Sequence, residues 1–524
     1  MILKDTLKNI GMDYVLSILN VRTPYGKERI NSLTLYKNKD ELNRQYDCIE
    51  FLMGFIQNNK RDYNDILSLL EGIKEIRTSI KRAVSGSVLE VSELFEIKNF
   101  LINVREICKI QMDNNFIEEL KLFRILYLEN ILDIEGQNSK SFYIYDSYSQ
   151  RLKTIRSEIK DYIRRLNLLR EEIKNKVEQK YGVYVKQNSE IVISRDDVKI
   201  EEALCDKNLR QALKTPYYII FSLELGDEGD RINNIIEKLK EEEEEEEHRI
   251  RTYLTEKIKE EEENLNRLIA LISELDLLLQ KAELAIETKS VRPNINNSIE
   301  IKIEKGRHLK VEAELKKKGV DFTPISIDLK KGSTIITGVN MGGKTVTLRL
   351  IGLLCIMAHM GFFVPCDFFS FYPFEYYFCQ AGDMQSLDNG LSTFGAEVLA
   401  LNEAVKYKDK MGLVLIDEIA RGTNPKEGRA ILKAILSYFN TLNSVLVVTT
   451  HFDGVDDIAR HYEVVGLKIG EDIKNISLKD LNLYMDYTLR EVYGKYEVPK
   501  DAIRVARLLG FEEDILNLAE KYLK

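Results

Sequence analysis

Residues 333–345 read STIITGVNMGGKT, and this stretch decides how the chain folds. The run Ser333–Thr337 is rich in β-branched residues and predicts a strand. Gly338-Val-Asn-Met-Gly-Gly-Lys344-Thr345 then satisfies G-x-x-x-x-G-K-T, and Val346–Met360 follows with a helix-like apolar pattern. Strand, glycine loop and helix form the setting in which this motif holds phosphates. The glycines let successive backbone N–H groups turn toward one anion. The helix N-terminus adds positive potential. In that reading Lys344 reaches the β- and γ-phosphates of a nucleotide, and the Thr345 hydroxyl binds Mg²⁺. A glycine-rich turn with an unrelated lysine is the bland alternative.

The residues downstream weigh against that alternative. Gly412-Leu-Val-Leu-Ile416 is a continuous apolar run, which suits a strand buried on both faces of a parallel sheet. It ends in Asp417-Glu418. A carboxylate at such a strand end can hold the metal, and one beside it can orient or deprotonate the attacking water. A third strand, Val445–Val448, runs into Thr449-Thr450-His451. That position puts His451 within reach of a γ-phosphate or its water.

Outward from this core the composition splits the chain. There are 524 residues, 44% hydrophobic and 31% charged, enough apolar material for several packed units. No proline lies between Pro24 and Pro216 or between Pro216 and Pro293, whereas 18 of the 28 glycines follow residue 310. Long helices are expected first, then a turn-rich α/β domain. A net charge of −9 excludes a globally basic nucleic-acid coat, though not a local basic patch. The six cysteines form no C-x-x-C pair, so reduced, mostly buried thiols in a cytoplasmic protein are expected. The N-terminus lacks a signal-peptide pattern. The most apolar run, Ile351–Cys366, contains His359 and Pro365 and reads as a buried helix with its exit turn, not a membrane span.

Two heptad seams stand out. Leu152, Ile155, Ile159, Tyr162, Leu166, Leu169 and Ile173 form the first, and Leu254, Ile258, Leu265, Leu268, Ile272, Leu275, Leu279 and Ala282 the second, broken once by Glu261. They predict an antiparallel coiled-coil lever, each arm about 45 Å long. Between them Tyr184-Val185, Ile191–Ile193 and Pro216–Phe221 predict short strands at its tip. The run Glu241–Glu247 reads as a solvated face.

The ordered set TGVNMGGKT (337–345), LSTFGAE (391–397), LVLIDEIARGTNPKEG (413–428) and VTTHF (448–452) resembles the MutS family of ATPases, relatives of the ABC ATPases. SELDLLLQKAELA (273–285), Arg292-Pro293, Gly306-Arg307-His308 and RTPYGKERINSL (22–33) extend the likeness, with Leu309 where the family usually has proline. The resemblance implies an α/β P-loop ATPase domain of ABC type. An all-α core with a long coiled-coil lever and a small β-containing tip precedes it. The implied boundaries are a helical core over 1–125, a lever over 126–290 with a clamp-like tip near 182–230, the ATPase over 291–495, and a dimerisation segment over 496–524. It further implies that Gly338, Asn340, Met341, Gly342, Gly343, Lys344 and Thr345 hold ATP, with Thr449 and Thr450 sensing its γ-phosphate. Thr345 and Asp417 would hold Mg²⁺, and Glu418 and His451 would be catalytic. Ser392 and Thr393 would complete the site of the opposite subunit in a homodimer. GDMQSLDNGLSTF (382–394) is closest to the second MutS subfamily, associated with recombination control and stalled ribosomes. The family's mismatch-recognition and nuclease-like domains are not expected within these residues. Duplex DNA is the partner the resemblance implies. A protein client is the alternative, as for the MutS-like reactivases of cobalamin-dependent aminomutases. The latter is favoured by 18 acidic against 9 basic residues over 181–247.

Overall fold

The computed structural model describes residues 1–524 except 4, 113–114, 137–142, 339–342, 382–392, 421–422, 453, 456, 468–484, 494–502, 504–505, 508–509 and 524. The chain forms two compact units. One comprises 72–109 and 120–269; the other comprises 1–71, 110–119 and 270–524.

In the first unit two long helices, α1 (Gln150–Tyr181) and α2 (Gly226–Glu260), flank three strands, β1 (Glu190–Ser194), β2 (Leu209–Lys214) and β3 (Tyr218–Leu223). The strands form an antiparallel sheet in the order β1-β3-β2. Its covered face packs Ile191, Ile193, Ile219 and Phe221 against Ile173, Val177 and Tyr181 of α1. Strand β2 carries only one buried residue, Leu209, so it has no apolar alternation to read. Val185 is buried in the same cluster, but it and Tyr184 lie outside the strands.

The seam of α1 meets α2 rather than the 254–282 seam. Ile155 and Ile159 pack on Leu239, with Tyr162 and Ile235 beside them. The helix break at Glu261 divides the second seam between α2 and α3 (Glu262–Glu287). The glutamate run is not simply a solvated face. Arg156 of α1 pairs with Glu243 (2.7 Å) and Glu247 (2.6 Å), and Ser149 donates to Glu246 at 2.6 Å.

These contacts relocate the acidic excess. Of the 18 acidic residues over 181–247, 11 lie at 226–247 on α2, opposite a helix with 10 basic and 5 acidic residues. The segment 182–225, which holds the sheet, has 6 basic and 7 acidic residues and is nearly neutral. Elsewhere in this unit Lys98 and Asp133 form a buried ion pair at 3.0 Å, with Arg105 at 3.5 Å from the same carboxylate.

The second unit carries two sheets. Its strands are β4 (Asn294–Ile295), β5 (Glu300–Gly306), β6 (Ile325–Lys330), β7 (Gly332–Thr337), β8 (Phe368–Phe371), β9 (Tyr376–Gln380), β10 (Gly412–Asp417), β11 (Val445–Thr449), β12 (Arg460–Leu467) and β13 (Met485–Val492). The smaller sheet runs β4-β8-β5-β6; the larger runs β13-β12-β7-β11-β10-β9 and is parallel except for β13. Every residue of β7, β9 and β11 is buried, as a sheet covered on both faces requires. Helix α4 (Lys344–His359) buries 13 of its 16 residues. It ends, as the apolar run predicts, in a left-handed turn at Gly361 (φ 74°). Ile2 adds a parallel bridge to the outer edge at Tyr377.

Two upstream segments of the family resemblance, 22–33 and 273–285, meet in this unit. Asp276 of α3 is fully buried and accepts hydrogen bonds from Arg22 N (3.0 Å), Thr23 N (2.7 Å) and Thr23 Oγ1 (2.7 Å). Thr23-Pro24-Tyr25-Gly26 is therefore a helix start, with Thr23 as N-cap and Pro24 in the first turn. Lys281 of the same helix is buried and donates to Met360 O at 2.8 Å. Among the described residues no helix is long and apolar enough to cross a membrane.

Candidate functional site

The large sheet brings three strand ends into line. β11 lies between β7 and β10, with Thr449 level with Ile336 on one side and Asp417 on the other. The C-terminal ends of these strands, where crevices form in open α/β sheets, thus carry the glycine loop, Thr449-Thr450-His451 and Asp417-Glu418 side by side. β10 precedes β11 directly in the chain, but β8, β9 and β10 intervene between β7 and β11, so chain order alone would leave β11 remote from β7.

Lys344 opens α4 directly after Gly343, whose φ of 87° lies in the left-handed region. The lysine is 5% exposed, and its ammonium donates to Gly338 O at 2.8 Å. It also lies 3.2–3.4 Å from the His451 ring nitrogens and 3.9 Å from Glu418 Oε1. His451 Nε2 and Glu418 Oε1 are 2.5 Å apart. With Nε2–H donating to the carboxylate, Nδ1 is left to accept from the lysine.

Thr345 Oγ1 donates to Asp417 Oδ2 at 2.8 Å, and Thr449 Oγ1 donates to Asp417 Oδ1 at 2.5 Å. Thr449 Oγ1 also accepts from Glu418 N at 3.0 Å. Thr449 therefore orients the Asp417 carboxylate and anchors the backbone of Glu418. The Thr450 hydroxyl accepts from Phe452 N at 3.0 Å. Asn340, Met341, Gly342 and Ser392 lie outside the described residues, and so does the side chain of Thr393.

Glu418 and Ala420 adopt left-handed backbone, φ 51° and 62°, which is costly for residues with side chains. Such strain gathers where a side chain must be aimed. Sequence reasoning assigned no role to Glu397, whose Oε2 accepts from Ala420 N at 2.8 Å, although the residue stands inside the quoted LSTFGAE. It also missed Tyr487 of β13, whose ring would lie 3.1 Å from a side chain at Gly343. A cavity of about 210 Å³ opens there, lined by Val311, Leu315, Phe322, Val346 and Tyr487 among others. Burial raises the Tyr487 phenol pKa and pushes the Cys379 thiol up to about 12.

The residues present suit a magnesium nucleotide. Among the described residues no three His, Cys, Asp or Glu side chains converge to hold a metal. A lone hydroxyl–carboxylate pair fits an ion that brings most of its ligands as phosphate and water, the habit of Mg²⁺.

A family model described as MutS domain V matches residues 334–524. The protein named Endonuclease MutS2 from Caldanaerobacter subterraneus subsp. tengcongensis is 27% identical over 99% of this chain and 64% of its own length. Its namesake from Caldicellulosiruptor saccharolyticus is 29% identical, again over 99% and 64%. That of Staphylococcus aureus strain Newman is 28% identical over 97% and 64%. The chain thus spans 64% of the length of these relatives. The domain V match and the near full-length similarity together support a relation to the MutS family and to the proteins named MutS2.

Proposed function

We propose that the chain is a Mg²⁺-dependent, MutS-type ATPase that acts on DNA as a homodimer. The observation that carries this reading is the convergence of Lys344, Thr345, Asp417, Glu418 and His451 at three adjacent strand ends. Bound MgATP would supply the phosphoanhydride to be cleaved and the charge that draws these groups apart. Gly338 to Thr345 would cradle its phosphates, with Lys344 exchanging Gly338 O and His451 for phosphate oxygens. Thr345 and Asp417 would hold the metal. Glu418, relieved of the lysine, would orient the attacking water and take its proton, while His451 keeps the carboxylate aimed. The apolar cavity beside Gly343, with Phe322 and Tyr487 on its walls, suits the flat face of a nucleobase. Ser392 and Thr393 would reach the partner subunit's nucleotide.

The α1–α2 pair serves in this reading as the lever, and the β1-β3-β2 sheet as its DNA-facing tip. The nearly neutral tip and the Arg156–glutamate pairs remove the charge argument that favoured a protein client. The test measures ATP turnover of the full chain with and without Mg²⁺ and duplex DNA. Turnover is expected to need Mg²⁺ and to fall about a hundredfold or more in Glu418→Gln with nucleotide affinity retained. Duplex affinity is expected to drop steeply with salt. Undiminished turnover in the variant would remove Glu418 as the base, and absent duplex binding at low salt would remove DNA as the partner.

A further inference from the structure

The turn that carries Glu418 is fixed from both sides. Before it, Glu418 N–H meets Thr449 Oγ1 at 3.0 Å and Thr449 O at 3.2 Å. After it, Ala420 N–H meets Glu397 Oε2 at 2.8 Å. Ala420 is only 1% exposed, so water cannot replace that carboxylate. The turn is also crowded. A side chain at Gly428 would come within 3.2 Å of Ala420 O and 2.8 Å of Phe452 Cζ, so the next helix, α6 (Pro425–Asn440), closes directly over it. Left-handed backbone at two non-glycine residues relaxes toward the right-handed region unless its surroundings hold it. Relaxation at Ala420 would rotate the preceding peptides and carry the Glu418 carboxylate away from His451.

We propose that Glu397 is a positioning residue for hydrolysis: its carboxylate holds the 418–420 turn left-handed and so keeps Glu418 at its working position. The inference rests on the ATPase reading above. Glu397 stands one turn into α5 (Thr393–Val405), the helix that begins within LSTFGAE. The same bond therefore ties the segment expected to face the partner's nucleotide to the carboxylate of its own site. Negative charge is not the requirement; an acceptor at that spot is.

The experiment compares Glu397→Ala, Glu397→Gln and the double variant Glu397→Ala/Ala420→Gly in the full chain. It reads kcat and KM for ATP, and amide hydrogen exchange across 418–420. Glu397→Ala is expected to lower kcat about tenfold or more, since small misplacements at a catalytic group carry such losses, with KM changed less than about twofold. Its Ala420 amide should lose exchange protection. Glu397→Gln should keep both, because the amide oxygen accepts the same N–H. Glycine at 420 adopts left-handed backbone freely, so the double variant should regain much of the lost kcat. Unchanged kcat and protection in Glu397→Ala, or a Gln variant as impaired as the Ala variant, would overturn the proposal. A wild-type chain that does not hydrolyse ATP would overturn the ATPase reading instead, and the exchange data would still decide whether Glu397 holds the turn.

Discussion

Replacing Lys344 by Met separates what the lysine does for the fold from what it does for a nucleotide. Its ammonium is 5% exposed and 3.9 Å from Glu418 Oε1. At an effective dielectric of about 20, that separation gives a gross attraction of about 4 kcal/mol. Desolvating the ammonium costs several kcal/mol in the opposite sense, so the pair contributes about zero net. Methionine fills a similar volume without a charge. Removing the lysine alone leaves Glu418 with His451 as partner and Gly338 O without this donor, so the nucleotide-free variant should lose about 1–3 kcal/mol. Ligand should separate the two. A ligand at a hundred times its Kd stabilises the native state by about 2.7 kcal/mol. For a unit of this size that is roughly 4 °C in Tm. Thermal unfolding with and without MgATP should show that rise in the wild type and none in Lys344→Met. An equal rise in the variant would refute the phosphate-loop assignment. A fall of more than about 10 °C without nucleotide would refute the cancellation of attraction and desolvation.

Two further outcomes concern α3. Asp276→Ala leaves Arg22 N–H, Thr23 N–H and the Thr23 hydroxyl without their acceptor, at about 1–3 kcal/mol each when buried. Urea unfolding should show a loss of about 3–5 kcal/mol, and a loss under 1 kcal/mol would show that water satisfies the helix start. Burial pulls the Lys281 ammonium down to about 7, with Arg29 adding to the effect. Between about pH 7 and 10 the unfolded chain then binds a proton there that the folded chain does not, so stability rises with pH. Wild-type stability measured against Lys281→Met should improve by about 1 kcal/mol per pH unit between about pH 7.5 and 9.5, and a flat difference would refute a depressed lysine.

The nucleotide strands were legible because each signal is local. The β-branched run before Gly338 and the apolar run before Asp417 give β7 and β10 almost to the residue. What sequence could not supply was adjacency. Nothing local says that β11 separates β7 from β10, and without that order the reach of His451 to Glu418 is invisible. The lever shows the same limit. Leu152, Ile155 and Ile159 of the α1 seam are buried, but periodicity names no partner, and the seam meets Leu239 and Ile235 of α2 rather than the 254–282 seam. The acidic excess misled because a window in sequence cut α2 away from the arginines that face it. Glu397 escaped notice because a hydrogen bond to a backbone N–H leaves no pattern in the letters.

The placement of β11 also constrains how the chain is built. β7 is synthesised first, yet its neighbours β11 and β12 begin only at Val445 and Arg460, over a hundred residues later. During synthesis both edges of a wholly buried, β-branched strand await partners still to be made, and parallel pairings over such separations form slowly. The glycine loop therefore exists in the nascent chain well before anything can close around it. In the proposed reading a nucleotide meets Lys344, Glu418 and His451 together only once residues near 451 have left the ribosome.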